Sequence, residues 1–309
     1  MMEPAIHVVI PCYNEEPTIG KVVADFRRVL PGAKVHVFDN VSTDATAEVA
    51  AEAGAVIHRV RLRGKGQVVS TIIETVPADV FLMVDGDDTY PAEEAPKLLA
   101  PVLAGRADMV VGARLGQHAQ GAFRPLHIMG NHLVRALTNL LFGGRLSDIM
   151  SGYRAFTAEL ARNVPVTAVG FEIETELTAL SLHYGFAIEE VPIPYRSRPP
   201  GSASKLRTFS DGSRILWTIL KVFRCLKPLS FYGLAAAVAA AAGIACALPG
   251  AWRHYSGGRA DGAPLAVGIA LLAGAGVLLG TGLLARTMNR RLREVTSLTR
   301  KTPGSRERH

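Results

Sequence analysis

Cysteine is scarce in this sequence, and its distribution argues against two kinds of structural support. The 309 residues contain three cysteines, Cys12, Cys225 and Cys246, which are widely spaced and lie in apolar surroundings. This spacing matches neither a zinc site nor the disulfide framework of a small secreted domain. We therefore expect reduced, structural cysteines in a cytoplasmic protein.

Two common nucleotide-binding fingerprints are also absent. The first predicted turn reads PCYNEEPTIG, without the GxGxxG of dinucleotide-binding enzymes, and no GxxxxGK[ST] surrounds the basic segment Arg63 to Gln67. The net charge is +7 and the pI about 9.5, yet the basic residues are not interleaved with aromatic residues in a recognisable module. We expect no nucleic-acid partner, and Arg63 to Gln67 is predicted to be a basic, flexible loop.

Charged side chains are missing from two long stretches, Phe231 to Leu248 and Leu265 to Ala285. At about 20 residues, each suffices for a helix to cross a hydrocarbon core, although one such stretch alone could be a buried helix. A polar loop joins them, so together they predict a transmembrane hairpin. The flanking basic residues are Lys205, Arg207, Arg214, Lys221, Arg224 and Lys227 before it, and Arg286, Arg290, Arg291, Arg293, Arg300 and Lys301 after it. By the positive-inside tendency we expect a multi-pass protein of the inner (cytoplasmic) membrane, with the N-terminal domain and C-terminus cytoplasmic.

The N-terminal part alternates between strand and helix patterns. Ile6 to Ile10, Val35 to Phe38 and Ala55 to Val60 predict strands, Thr18 to Leu30 predicts a helix, and Ser42 to Asp44 has the pattern of a helix start. Further along the chain, Ala107 to Val111 and Val191 to Tyr195 predict strands, and Asn131 to Phe142 predicts a helix. Such alternation predicts an α/β fold with a mostly parallel sheet, whose ligands bind beyond the carboxyl ends of the strands. The polar residues that follow these strands should therefore face one crevice.

The most informative stretch is the apolar run Val80 to Met83 followed by Asp85, Gly86, Asp87 and Asp88. Burying these carboxylates unpaired would be costly, so we expect them at a sheet edge near a cation. Two carboxylates on one side suit a hard divalent ion that keeps other positions for water and phosphate oxygens. A solvated Asp/Gly turn is the alternative for the isolated motif.

In chain order, the segments VVIPCYNEE, VFDNVSTD, RGKGQ and MVDGDDTYP resemble glycosyltransferase family 2. Within that family they look most like the polyprenyl-phosphate hexose synthases of the dolichol-phosphate mannose synthase type. The resemblance covers about residues 6–228 and implies the Rossmann-like GT-A fold. The QxxRW pattern of processive polysaccharide synthases is absent.

The resemblance also implies roles for individual residues. Asp85 and Asp87 match the DxD pair that holds Mg²⁺ or Mn²⁺ on the donor diphosphate, with Asp88 in an uncertain role, and Arg114 matches an arginine that contacts the acceptor phosphate. The expected nucleotide-sugar-binding residues are Pro11, Tyr13, Glu15, Asp39, Lys65 and Asp85. Further acceptor-phosphate candidates are Arg124, His127, Arg198 and Lys205. The catalytic candidates are Asp87, Arg114, Asp148 and Glu174.

Among these candidates, Asp148 and Glu174 are weak as general bases. A phosphate monoester has its second pKa near 6 and is already a competent nucleophile at neutral pH. The two carboxylates are alternatively expected to orient an arginine or the sugar hydroxyls.

The expected activity is therefore inverting, metal-dependent transfer of a hexose from a GDP- or UDP-linked sugar to a polyprenyl phosphate at the cytoplasmic membrane face. The alternatives are transfer to a lipid or polysaccharide hydroxyl and a non-catalytic membrane scaffold that binds a nucleotide sugar. The predicted organisation is a GT-A domain over 1–204, a juxtamembrane amphipathic segment over 205–228, the hairpin over 229–286 and a basic tail over 287–309. The lipid bilayer is an expected partner, and a homo-oligomer is left open.

Overall fold

The structure is a computed structural model that describes residues 4–115, 125–199, 208–256 and 262–301. The chain divides into two compact units, Met1–Ile219 and Leu220–His309. The first contains the sheet and all the candidate site residues, and the second contains the two long apolar stretches. The predicted domain boundaries at 204, 228 and 286 stay predictions.

The first unit alternates strands and helices along most of its length. Its strands are β1 (Ile6–Cys12), β2 (Lys34–Asp39), β3 (Val56–Arg59), β4 (Val80–Met83), β5 (Met109–Leu115), β6 (Arg154–Thr157) and β7 (Ile188–Pro194). Its helices are α1 (Glu16–Val29), α2 (Thr46–Glu52), α3 (Lys65–Thr75), a short 3₁₀ helix (Ala92–Glu94), α4 (Ala95–Leu103), α5 (Pro125–Phe142), α6 (Ala158–Asn163), α7 (Ile173–Tyr184) and α8 (Thr208–Leu226), the last of which continues into the second unit.

The strands form one seven-stranded sheet in the order β3-β2-β1-β4-β6-β5-β7. The neighbours β3, β2, β1 and β4 are parallel, β5 and β7 are parallel, and β6 runs antiparallel between β4 and β5. The mostly parallel α/β fold predicted from the alternation is confirmed. The carboxyl ends of β1, β2 and β4 lie at the same edge of the sheet, so the polar residues that follow these strands lie at that edge too.

One face of the sheet packs on α1 and α4 to form a hydrophobic core. Alternate side chains of β1, such as Val8 and Ile10, are fully buried there against Phe26 of α1 and Leu98 of α4. This period of two places every second residue of the strand in the same layer. Their burial fixes the strand register, and with it the position of the residues that follow each strand.

Three predicted elements differ from the observed ones. The helix expected from Ser42 to Asp44 begins at Thr46, because Ser42 accepts a hydrogen bond from the Asn14 amide and the Thr43 amide donates to the Asn14 side chain, at 3.0 and 2.8 Å. Residues 42 and 43 thus bond to the first turn rather than starting a helix. The basic segment predicted as a loop starts α3 at Lys65. The helix predicted from Asn131 begins earlier, at Pro125.

Strand β6 was not predicted at all. It has four residues and follows a polar block, and its partners β4 and β5 are remote in sequence. No local pattern of that length separates a buried strand from a turn. Strand β5, expected to end at Val111, continues to Leu115 because β7 pairs with it as far as Leu115–Pro194.

The second unit contains two long helices, α9 (Pro228–Tyr255) and α10 (Gly262–Lys301). Their segments Pro228–Arg253 and Gly262–Arg291 have mean hydropathies of 2.0 and 2.1 and are long enough to cross a membrane. The helices approach closely at a pair of glycines, where a Cβ on Gly243 would lie 2.9 Å from the Gly268 carbonyl oxygen. Small residues permit such contact between apolar helices. The two helices therefore pack together as a hairpin.

Candidate active site

A cavity of about 330 Å³ opens at the sheet edge where β1 and β4 end. Its wall combines acidic and basic side chains with aromatic and aliphatic ones. The lining residues are Pro11, Cys12, Tyr13, Glu15, Asn40, Arg63, Gly64, Lys65, Val68, Asp85, Gly86, Asp87, Tyr90, Arg114, Met150, Phe171, Glu174, Tyr195, Arg198 and Ile215. A concave, partly apolar site with a few convergent polar groups is the usual form of a small-molecule site.

The carboxylates of Asp85 and Asp87 both line this cavity, and each is paired with a cation. Lys65 Nζ contacts Asp85 Oδ1, and Arg198 Nη2 lies 2.6 Å from Asp87 Oδ2. Asp87 is 3% exposed, and burial together with the neighbouring charge of Asp85 raises its pKa, although Arg198 opposes the shift. The cavity wall thus carries two carboxylates whose negative charges favour positive charge nearby.

This pair fits a hard divalent ion. Within the described residues, no group of three or more His, Cys, Asp or Glu side chains is arranged to hold a metal. Mg²⁺ and similar ions are commonly bound through one or two carboxylates, with water and substrate phosphates completing the shell. Asp85 and Asp87, facing an open cavity, provide that incomplete set, and Lys65 and Arg198 supply the compensating charge in the structure.

Lys65 lies at the start of α3 and is held between two acids. Its ammonium contacts Asp85 and lies 2.6 Å from Glu174 Oε1. Burial alone would lower the pKa of Lys65, but the charges of Asp85 and Glu174 raise it above its ordinary value. Lys65 therefore stays protonated, and Glu174 is engaged as its counter-ion.

The loop before α7 fixes the start of α3. Its backbone amides donate to two glutamates: those of Thr167 and Ala168 to Glu176, and that of Gly170 to Glu172. The same loop packs on Gly64, whose φ of 128° favours glycine and whose added Cβ would meet the Val169 carbonyl oxygen at 2.1 Å. Glu172, Glu174 and Glu176 thus each have a structural partner, in addition to their favourable place at a helix N-terminus.

Asp88, the third acid of the motif, has different surroundings. Its backbone is left-handed, with φ of 56°, and its carboxylate binds Lys21 at 2.8 Å, with Arg196 at 3.8 Å. Asp88 does not line the cavity. The turn at Gly86 therefore separates Asp88 from the Asp85 and Asp87 pair.

The first turn, after β1, brings Tyr13 and Glu15 into the cavity wall. The Tyr13 hydroxyl accepts a hydrogen bond of 2.9 Å from Arg63, whose guanidinium lies 5.0 Å from the ring centroid. Asn40 accepts a 2.7 Å bond from the Gly64 amide and so ties the end of β2 to this segment. Asp39, expected beside the nucleotide, lines a separate cavity of about 300 Å³ with Arg59.

Arg114, the penultimate residue of β5, lines the cavity and is held by Asp148. Its Nε and Nη2 donate to the two carboxylate oxygens at 2.6 and 2.8 Å, and its guanidinium lies 5.5 Å from the ring centroid of Tyr195. Burial alone would raise the pKa of Asp148, but Arg114 lowers it below its ordinary value. Asp148 does not line the cavity, and both of its carboxylate oxygens accept hydrogen bonds from Arg114.

Of the remaining acceptor candidates, Arg198 is the one whose side chain lies within the described residues. Arg198 lines the cavity but pairs with Asp87, at the carboxylate end. Arg124 and Lys205 lie outside the described residues, and for His127 only the backbone, within α5, is described. The expected role of Arg198 at the acceptor phosphate stays a prediction.

Several lining residues had no individual role in the sequence analysis. Tyr90 and Tyr195 pack edge to face with ring centroids 5.3 Å apart, and Met150 and Ile215 supply apolar wall. Tyr195 lies at the end of the last predicted strand. That position could have indicated a site residue, because ligands bind beyond the carboxyl ends of strands in such folds. Met150 and Ile215 carried no such signal.

Comparison with known proteins agrees with this geometry. The model of glycosyl transferase family 2 matches residues 7–164. The chain belongs to glycosyl transferase family 2. A relative named glycosyltransferase AglJ, from Haloferax volcanii, is 36% identical over 245 residues, which are 79% of this chain and 80% of the relative. The family model and this relative both concern glycosyl transferases.

One further relative and one solved structure add detail. The dolichyl-phosphate hexose transferase of Haloferax volcanii is 35% identical over 220 residues, which are 71% of this chain and 93% of the relative. The glucosyl-3-phosphoglycerate synthase of Mycobacterium tuberculosis, solved with Mn²⁺, UDP and phosphoglyceric acid, is similar with a TM-score of 0.60 at 24% identity, covering 71% of this chain and 78% of that one. This likeness shows the shared GT-A fold.

Proposed function

We propose that this family 2 enzyme transfers a hexose from a GDP- or UDP-linked sugar to a polyprenyl phosphate, with inversion at the anomeric carbon. The observation that carries the proposal is one cavity lined both by the Asp85 and Asp87 carboxylate pair and by the clamped guanidinium of Arg114. The first suits a metal-bound diphosphate and the second suits a phosphate. The name of the dolichyl-phosphate hexose transferase relative supports this choice of acceptor.

The donor would bind along the carboxyl ends of β1 and β4. Asp85 and Asp87 would hold Mg²⁺ or Mn²⁺, which when bound neutralises charge on the departing nucleoside diphosphate. Lys65 adds a protonated amine to the same end of the cavity. Tyr13, with Arg63 against its ring, offers a flat surface for the nucleoside.

The acceptor phosphate would bind at the Arg114 guanidinium, a cation whose N–H groups suit phosphate oxygens. One phosphate oxygen attacks the anomeric carbon from the face opposite the diphosphate, the new C–O bond forms, and the bond to the diphosphate oxygen breaks. No proton has to be removed from a dianionic phosphate, so Asp148 and Glu174 are not needed as bases. The residues supply position and charge, and the acceptor supplies the nucleophile.

A hydroxyl acceptor is a second candidate because Glu174 is a buried carboxylate in the cavity wall. Its partner Lys65 keeps it engaged as a counter-ion, which disfavours proton abstraction.

We place the reaction at the cytoplasmic membrane face, with α9 and α10 crossing the bilayer. Their length and hydropathy support that placement.

The test is a screen of purified full-length protein with Mg²⁺ or Mn²⁺, GDP- and UDP-sugars, and three acceptors: undecaprenyl phosphate, dolichyl phosphate and unphosphorylated polyprenol. We expect a mild-acid-labile glycolipid with inverted configuration, formed only with a phosphorylated acceptor. Product on polyprenol would favour the hydroxyl acceptor. Nucleotide-sugar binding without product for any pair would favour the non-catalytic scaffold.

A further inference from the structure

A glutamate outside the cavity wall holds the turn that carries Asp148. Glu190, on β7, accepts hydrogen bonds from the Ser147 amide at 2.8 and 2.7 Å, from the Ser147 hydroxyl at 2.9 Å and from the Asp148 amide at 2.8 Å. Two successive backbone amides thus point at one carboxylate. Hydrogen bonds to an ionised acceptor are stronger than those between neutral groups.

The contacts continue from this turn to the cavity. Asp148 accepts the Arg114 amide at 3.1 Å in addition to the two guanidinium bonds. Its carboxylate is therefore fixed relative to both the backbone and the side chain of Arg114. Glu190, the turn and Asp148 form one chain of contacts that ends at the only member lining the cavity, Arg114.

Strand pairing makes this chain of contacts rigid. Glu190 lies opposite Val111, and Ile193 lies opposite Arg114, in the parallel pair of β7 and β5. Both ends of the contact chain are thus anchored on neighbouring strands, while the 147–148 turn bridges between them. A group held on rigid elements by fixed partners keeps its orientation as a ligand enters.

The neighbouring residue shows that this is specific to one position. Glu189 precedes Glu190 on β7, so its side chain points to the other face of the strand. Its partner there is Arg106, at 3.7 Å, and both side chains are substantially exposed. Of these two adjacent glutamates on the same strand, only Glu190 contacts the Ser147–Asp148 turn, which in turn contacts Arg114.

We propose that Glu190 is a positioning residue for acceptor binding: through the Ser147–Asp148 turn it sets the orientation of the Arg114 guanidinium toward the acceptor phosphate. The inference rests on the proposed function, since it takes Arg114 as the phosphate-binding group. The negative charge of Glu190 matters because both of its oxygens accept bonds from this turn. In Glu190→Gln, an NH₂ group would replace one acceptor and face an N–H donor.

The experiment compares Glu190→Gln with Glu189→Gln in the full-length protein. Binding of farnesyl phosphate, a soluble prenyl phosphate, is measured by calorimetry with Mg²⁺ and nucleoside diphosphate present, and KM values are measured for polyprenyl phosphate and for the donor. We expect Glu190→Gln to raise the farnesyl phosphate Kd and the acceptor KM about tenfold, because a hydrogen-bonded charge loses its alignment. The donor KM should stay within about twofold, as should every constant of Glu189→Gln.

A double-mutant cycle separates positioning from a general loss of stability. If Glu190 acts through Asp148, Glu190→Gln combined with Asp148→Asn should raise the Kd no further than Asp148→Asn alone. A merely structural role would lower Tm and the active fraction with the acceptor Kd unchanged, and that result would overturn the proposal. If Glu190→Gln does not fold, Glu190→Asp, which keeps the charge but shortens the reach, replaces it in the same cycle.

An Arg114→Gln variant separates a failure of the proposed acceptor site from a failure of the role proposed for Glu190. If the wild type does not bind farnesyl phosphate, or if Arg114→Gln leaves its Kd unchanged, the acceptor site of the proposed function is wrong and the role of Glu190 is rejected with it. If Arg114→Gln weakens binding while Glu190→Gln does not, only the role of Glu190 is rejected.

Discussion

Neighbouring acids in the turn after β4 have different partners. Asp87 is buried at the cavity with Arg198, whereas Asp88, the next residue, is turned toward Lys21 and Arg196. The alternation of a strand cannot describe this arrangement, because Asp88 has a left-handed backbone. Removing charge from each acid in turn therefore tests which of them serves the reaction.

We expect Asp87→Asn to lower hexose transfer by about 100-fold or more, since it removes a charge that would stabilise the metal-bound diphosphate. Mn²⁺ binding in the presence of nucleoside diphosphate, followed by electron paramagnetic resonance, should weaken in parallel. Asp88→Asn is the matched control and should keep activity within a few-fold, because its carboxylate is bound outside the cavity. Equal losses in the two variants would contradict the assignment of Asp87.

Gly152 is a second residue whose identity the site requires. A Cβ at this position would lie 2.3 Å from Asp85 Oδ2, much closer than van der Waals contact allows. We expect Gly152→Ala to displace the Asp85 carboxylate and to reduce transfer about 100-fold, as misplacement of a positioning group does. Gly32→Ala, with no atom within 4 Å of the added carbon, is the control. Wild-type kinetics in Gly152→Ala would show that Asp85 tolerates the shift.

At the level of elements, three adjacent strands are connected by a row of histidines. His7 Nδ1 and His36 Nε2 are 2.9 Å apart, as are His36 Nδ1 and His58 Nε2, so a neutral His36 donates one bond and accepts the other. Burial, together with the nearby imidazoles and Lys34, lowers the pKa of His36 to about 4. Protonation of His36 would make both of its ring nitrogens donors, so one neighbouring imidazole would have to change tautomer, and it would place a charge in a buried site.

This row predicts a pH dependence of stability. A histidine whose folded pKa is depressed stabilises the fold above its unfolded pKa of about 6.5, and that contribution is lost as the pH falls toward 4. Allowing for solvent screening, we expect protonation linked to His36 to lower the free energy of unfolding by about 1–2 kcal/mol between pH 6.5 and 4.

Denaturant unfolding at several pH values measures the effect. His36→Gln should flatten the profile between pH 6.5 and 4, while His132→Gln, exposed on α5, should not. An unchanged slope in His36→Gln would assign the acid sensitivity to other groups.

At the level of the whole molecule, the basic residues and apolar helices make a prediction about topology. The region between α9 and α10 should face away from the cytoplasm, whereas the first unit should face it. The test uses a background with Cys225→Ser and Cys246→Ser. In it we expect Ser256→Cys, directly after α9, to react with a membrane-impermeant maleimide in intact cells.

Thr75→Cys, exposed at the end of α3, is the matched control and should react only after the membrane is permeabilised. Protection of Ser256→Cys together with labelling of Thr75→Cys in intact cells would reverse the orientation. Labelling of both would mean that the chain does not span the membrane as a hairpin.

Much of the fold and the acidic part of the site could be predicted because the relevant signals are local. The strand and helix periods, the two uncharged stretches and the Asp85 to Asp88 turn are each contained within a short segment. Strand β6 and the extension of β5 could not be predicted, since each depends on pairing with a strand remote in sequence. The predicted start of α2 was wrong because Asn14, in another turn, competes for the same polar groups.

The sequence by itself determined the mostly parallel α/β architecture, the two long apolar helices and the family, because periodicity, composition and ordered motifs are properties of the chain. Only the tertiary structure decided which charges pair. It joined Lys65 to Asp85 and Glu174, Arg198 to Asp87, and Arg114 through Asp148 to Glu190. Those pairings depend on distances between elements far apart in sequence, and burial makes them strong because an unpaired charge there would be costly.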